Sequence, residues 1–205
     1  MSVPSLPVAI IGAGPVGLAA AAHVVSRSLT PVVLEAGARV GDGVRRWGHV
    51  RVFSPWSLNV DPLAADLLTR RGWTMPAADE YPTGREIVEQ YLEPLAALPE
   101  IAPHLRLRTR VLTVARQHLD RMKDGRREQA PFLLRLLGPD GEEDLLASAV
   151  IDASGTIDSP GPLLECTRIP TEVVVDDMAA LEVEVDAFGH DVRGNEDLGK
   201  ERRVE

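Results

Sequence analysis

Near its N-terminus the chain runs Val8-Ala9-Ile10-Ile11 directly into Gly12-Ala13-Gly14-Pro15-Val16-Gly17. It continues through an alanine-rich stretch to about Ser26 and returns as Pro31-Val32-Val33-Leu34-Glu35. Few folds accept this order. The first apolar run reads as a buried strand, the glycines as a tight turn, the alanines as a closely packed helix, and the second run as a neighbouring strand ending in a carboxylate. Gly12 permits the turn, Gly14 lets a pyrophosphate approach the backbone, and Gly17 lets the helix lie against the sheet. A helix opening at Pro15 and Val16 points its free N–H groups and positive dipole end at phosphates. Glu35 follows Gly17 after 17 residues, where an acid can accept hydrogen bonds from a ribose diol. The pattern predicts a βαβ unit that binds a dinucleotide through Gly12, Ala13, Gly14, Pro15, Val16, Gly17 and Glu35. The competing reading is an ordinary βαβ unit whose glycine turn holds no ligand.

At 205 residues and 44% hydrophobic, the chain can bury a real core but is short for a two-domain enzyme. Its net charge of −9 is uneven: residues 156–205 hold 13 acidic side chains against 5 basic ones. No basic cluster stands apart from neighbouring acids, so no nucleic-acid partner is expected. Arg45-Arg46 and Arg126-Arg127 read as solvated surface, although a cation near cofactor phosphates would be useful. Cys166 is the one cysteine, which excludes a disulfide within the chain and any cysteine-rich metal spacing, so no metal is expected. A reducing, cytoplasmic location is the expectation. Val8–Ile11 is too short for a signal or membrane segment, so no membrane partner is expected either.

Further blocks follow in a telling order. Glu35-Ala36-Gly37-Ala38-Arg39-Val40-Gly41-Asp42-Gly43 precedes Trp47, Tyr81-Pro82-Thr83-Gly84-Arg85 opens a helical pattern, and Ala149-Val150-Ile151-Asp152 ends in Ala153-Ser154-Gly155-Thr156. Together with the first motif, these blocks resemble the N-terminal FAD-binding part of flavin-containing monooxygenase-like, two-dinucleotide oxidoreductases, over about residues 6–163. The resemblance implies an α/β fold, a Rossmann-like FAD-binding domain carrying a β-meander or hairpin insertion. It implies FAD as cofactor, with Ala36, Gly43 and Trp47 along its ribityl and phosphates and Ala153, Ser154 and Gly155 in a second cofactor turn. A strand beside the adenine makes Val111 a backbone contact, although a plain core valine is the equal alternative. NADPH or NADH is the implied electron donor, acting on an unknown small-molecule substrate.

Along the chain the periodicity predicts strands at 7–11 and 31–35, a helix over 15–27 and a glycine- and arginine-rich loop to about Val50. A helix starting at Asp61-Pro62 follows, then one over 84–97 kinked or split at Pro94, and a strand from Leu105 to Ala115. A hairpin across Gly138-Pro139-Asp140-Gly141 leads to a buried strand at Ala149–Ala153. Trp47, Phe53 and Trp56 form an aromatic cluster that would either wall a ligand pocket or cover the sheet as core. Asn59 and Asp61 have no assignable role. His23 and His104 read as structural or exposed, and His49 as surface or packing. No nucleophile or acid–base dyad is visible, and Ser154 lies outside any GxSxG elbow, so no catalytic residue is assigned.

After Pro162 the pattern departs from the resembled family: no second glycine-rich motif follows in this sequence, and the expectation is that the nicotinamide-binding domain is absent. Residues 164–205 read as an acidic, partly disordered tail of non-ancestral sequence, as a truncated or frameshifted gene would produce. A partner chain or self-association would then complete the site. Three readings stay open: a flavin-dependent monooxygenase-like oxidoreductase, a truncated FAD-binding module without catalysis, and a single-Rossmann NAD-binding protein. Glu35 disfavours NADP at the first site, because a carboxylate repels a 2′-phosphate.

Overall fold

The computed structural model describes residues 6–119 and 127–156. The expectations for Arg126 and for the tail at 164–205 lie outside them. Strand β1 (Val8–Ile11) leads through the glycine turn into helix α1 (Pro15–Ser26), and β2 (Pro31–Leu34) returns parallel to β1, Val8 opposite Pro31 and Ile11 opposite Leu34. The segment expected as a glycine- and arginine-rich loop to about Val50 holds a short helix, α2 (Asp42–Arg46); α3 (Trp56–Asn59) follows beyond it, before α4 (Pro62–Thr69). Asp61 caps α4, its carboxylate accepting the Ala64 N–H at 2.8 Å.

The expected helix at 84–97 forms with an interruption. It begins as α5 (Gly84–Ile87) behind a capping box in which Thr83 and Glu86 satisfy each other's backbone N–H groups. Those same bonds, chiefly the Thr83 backbone N–H, hold the Glu86 carboxyl below its ordinary value. The helix widens to a π turn at Val88–Leu92 and closes as α6 (Glu93–Ala96). Pro94 explains the widening: it has no N–H for the Gln90 carbonyl one turn back. The Trp73 indole N–H takes that carbonyl at 2.7 Å, with its ring tilted against Tyr91 at 6.3 Å between centroids. Trp73→Phe is expected to cost about 1 kcal/mol, seen as a melting midpoint lower by roughly 2–4 °C. An unchanged midpoint would mean water serves the carbonyl equally well.

The strand expected from Leu105 to Ala115 is two strands in two sheets. β3 (Leu105–Arg106) pairs parallel with β2; Arg108 then adopts φ 53° and the chain turns into β4 (Arg110–Arg116). The Arg108 N–H bonds the Gly37 carbonyl at 2.9 Å and the Thr109 N–H bonds the Glu35 carbonyl at 2.8 Å. These long-range bonds hold a left-handed residue that local alternation does not reveal. β5 (Phe132–Gly138) and β6 (Gly141–Ala147) form the expected hairpin around Pro139-Asp140, and β4 adds antiparallel to β5. β7 (Ala149–Asp152) joins β1 in parallel, giving the order β3-β2-β1-β7. It is half-buried rather than buried, with Asp152 exposed, since among the described strands it lies at the sheet edge.

Alternation along β1 and β2 divides the core between two layers. Val8, Ile10 and Val33 pack with α1, α4 and the π turn, whereas Ala9 and Leu34 pack with Leu134, Leu136 and Ala147 of the meander. The parallel sheet is thus covered on both faces, as buried parallel strands require. Among the described residues no helix is long and apolar enough to cross a membrane, and no cluster of three His, Cys, Asp or Glu could hold a metal ion.

Candidate functional site

A cleft of about 550 Å³ opens where the carboxyl ends of β1, β2 and β7 meet the glycine turn and α2. This is where open α/β sheets bind ligands, because helix N-termini and strand-end loops converge there. The turn is closed by backbone contacts. Gly12 sits at φ 101° and gives its N–H to Leu34 O at 2.7 Å, while Ala153 gives its N–H to Ile11 O at 2.9 Å. A Cβ on Gly12 would come 2.5 Å from Ala153 O, and one on Gly17 would come 2.0 Å from Gly12 O. A Cβ on Gly14 would meet nothing within 4 Å, and Gly14 caps α1 without any side-chain partner for the free N–H groups of the first turn.

Glu35 organises the same end of the cleft. Its carboxylate accepts the Ala13 N–H and the Gly37 N–H, each at 2.7 Å, so one side chain clamps the glycine turn to the β2 exit. Each oxygen keeps a lone pair free for a further donor. Glu35→Ala strips two backbone N–H groups of their acceptor and is expected to cost about 2 kcal/mol. A thermal melt reads this directly, and a midpoint within 1–2 °C of the native one would count against the clamp.

Twelve of the fourteen expected cofactor contacts line this cleft: Gly12, Gly14, Pro15, Val16, Glu35, Ala36, Gly43, Trp47, Val111, Ala153, Ser154 and Gly155. Ala13 and Gly17 lie buried behind it, Ala13 giving its N–H to Glu35 and its carbonyl to the Gly41 N–H. Val111 serves two surroundings, since it also packs against the meander core. Ser154 is held by its N–H to Asp152 Oδ1 at 3.0 Å.

The cleft also contains Asp42, Arg46, Thr109 and Arg110, to which sequence reasoning assigned no site role. The Arg45-Arg46 pair read as solvated surface divides. Arg45 turns inward, its Nε donating to Val40 O at 3.1 Å and its guanidinium pairing with Glu93, while Arg46 is exposed on the cleft wall. Helix α2 divides them, since adjacent residues on a helix face different ways, and the loop expected over this segment hid that division.

The aromatic cluster disperses. Trp47 stands at the cleft with its ring over Gly84, where a Cβ would come within 2.7 Å; Trp56 is core; Phe53 is 96% exposed. His49 is exposed and does not line the cleft. Asn59 and Asp61 acquire clear roles. Asn59 donates to the Ser54 and Pro55 carbonyls, and buried Asp61 binds His23 Nε2 at 3.1 Å while its N–H donates to the Tyr91 hydroxyl. Burial pushes the Tyr91 hydroxyl well above the ordinary tyrosine range.

Residues 9–121, more than half of the chain, match the family described as pyridine nucleotide-disulphide oxidoreductase. The chain belongs to that family. Among solved structures, a steroid monooxygenase bound to NADP is 27% identical, superposes with a TM-score of 0.54 and covers 74% of this chain. OTEMO in complex with FAD and NADP is 22% identical with a TM-score of 0.54 over 75% of the chain. Bacillithiol disulfide reductase Bdr from Bacillus cereus is 22% identical with a TM-score of 0.55 over 80%. The chain spans 26%, 26% and 45% of those three proteins respectively. No curated protein matches it by sequence. The resemblance to the N-terminal FAD-binding part of flavin monooxygenase-like enzymes stands on this match, as does the Rossmann-like fold of this oxidoreductase-family chain.

Proposed function

We infer that this chain binds FAD in the cleft between the glycine turn and the Ala153–Gly155 turn, as the flavin-holding part of a monooxygenase-like oxidoreductase reduced by NADPH or NADH. One observation carries the reading. Two motifs about 140 residues apart meet as backbone against backbone, Gly12 against Ala153 O, at the mouth of one cleft.

The residues suit the group. Gly14 leaves open space in front of α1, where the pyrophosphate would receive the free N–H groups and positive end of the helix. The free lone pairs of Glu35 would accept the ribose hydroxyls, and the backbone at Val111 would lie along the adenine. Trp47, Ala153 and Ser154 would border the ribityl and ring. When bound, the flavin supplies hydride and electron transfer. The protein's part is to orient it, shield it from water and present one face to a substrate.

Purified chain should be yellow and release FAD on denaturation, and added FAD should raise the melting midpoint while NAD does not. Ligand at 100 times its dissociation constant stabilises by about 2.7 kcal/mol. A midpoint raised by NAD alone would move the assignment to a single-nucleotide NAD-binding protein. Colourless protein indifferent to both would end the flavin reading.

A further inference from the structure

Asp42 stands beside Glu35. The missing side chain of Gly37 makes this approach feasible: the point a Gly37 Cβ would occupy is 2.5 Å from Asp42 Cβ, 2.9 Å from Asp42 Cγ and 2.9 Å from Glu35 Oε1. Both acids line the cleft. Glu35 already accepts the Ala13 and Gly37 N–H groups, whereas the Asp42 side chain makes no hydrogen bond or ion pair within the described residues. Two cations share the cleft wall, Arg46 one turn further along α2 and Arg110 at the head of β4.

We propose that Asp42 is a specificity-determining residue of the nucleotide cleft: with Glu35 it forms a double-carboxylate collar that accepts a ribose with free hydroxyls and refuses one bearing a 2′-phosphate. This rests on the dinucleotide reading of the cleft and adds to it the chemistry at the adenosine end. Hydroxyl groups donate to carboxylates, so an unmodified diol is served by both acids. A 2′-phosphate has no proton to give at neutral pH and would bring about two negative charges against two more at close range, in a cleft that only partly admits solvent.

Asp42 separates this effect from folding better than Glu35, whose carboxylate also clamps the glycine turn. Asp42→Asn keeps the size and a donor–acceptor amide while removing one charge. The test uses the full chain loaded with FAD, displaced in parallel by ADP and by adenosine 2′,5′-bisphosphate. In the native chain ADP should compete and the bisphosphate should not. In Asp42→Asn the bisphosphate should gain about tenfold relative to ADP, and the gain should shrink in high salt. The ratio between ligands cancels any general loss of folded protein. Equal competition by both ligands in the native chain, a ratio unmoved by the substitution, or failure of ADP to compete would each overturn the role of Asp42. Failure of the chain to take up FAD at all would overturn the flavin reading and this inference with it.

Discussion

Gly17→Ala is expected to collapse the nucleotide-binding end of the molecule, whereas Gly14→Val leaves the fold standing and removes only cofactor binding. The two glycines are three residues apart in one motif, yet their surroundings are opposite. A methyl carbon on Gly17 would sit 2.0 Å from the carbonyl oxygen of Gly12, with Ala153 Cβ 3.5 Å away. Both neighbours belong to the turns that build the cleft, so relief requires moving α1 bodily off the sheet. Overpacking of this kind costs about 3 kcal/mol or more, a drop of roughly 6–12 °C in melting midpoint for a chain of this size. Gly14 faces open cleft with nothing within 4 Å, and its φ of −83° is open to any residue. A valine there keeps the native midpoint and weakens FAD by at least about tenfold. Swapped phenotypes, or a Gly17→Ala chain that melts like the native one, would refute the packing described at the turn.

Asp61→Ala should be the most damaging substitution away from the cleft. The Asp61 carboxylate is 3% exposed and serves two groups at once: it caps α4 through the Ala64 N–H and binds His23 Nε2 near the end of α1. Its backbone N–H meets the buried Tyr91 hydroxyl beside the π turn. One residue therefore ties together three helical segments of the layer that covers the parallel sheet. Truncation leaves two polar groups without partners, the Ala64 N–H at the start of α4 and the His23 imidazole, about 3 kcal/mol in all. Asp61→Asn retains an acceptor for one of the two and should lose about 1 kcal/mol. Urea titration of both variants would test this; equal midpoints for Ala and Asn would show that the acceptor Asn retains contributes nothing.

The contrast between Asp61 and Gly14 shows what kinds of information a sequence carries. The glycine motif, the carboxylate after the second strand and the small-residue turn after the last one are legible because each rests on local chemistry. A missing side chain, a fixed spacing or a strand end keeps its meaning wherever the chain goes. The hairpin at Gly138–Gly141 and the disruption before Pro94 are legible for the same reason. Asp61 was legible only as the start of α4, because its other partners come from α1 and the π turn, 38 and 30 residues away. The break at Arg108 was hidden likewise, since what holds that residue at positive φ is a carbonyl from the loop after β2. Adjacent aromatics separated into cleft, core and solvent because α2 and α3 turn them through different directions.

By itself the sequence determined the βαβ unit, its glycine turn and the carboxylate at the second strand's end, since these follow from residue type at short range. Only the tertiary structure decided that Ala153 closes over Gly12, that Arg45 points inward while Arg46 lines the cleft, and that Asp42 comes to rest beside Glu35. Those are contacts between distant segments, and they exist only once burial of the two core layers has brought the strand ends together.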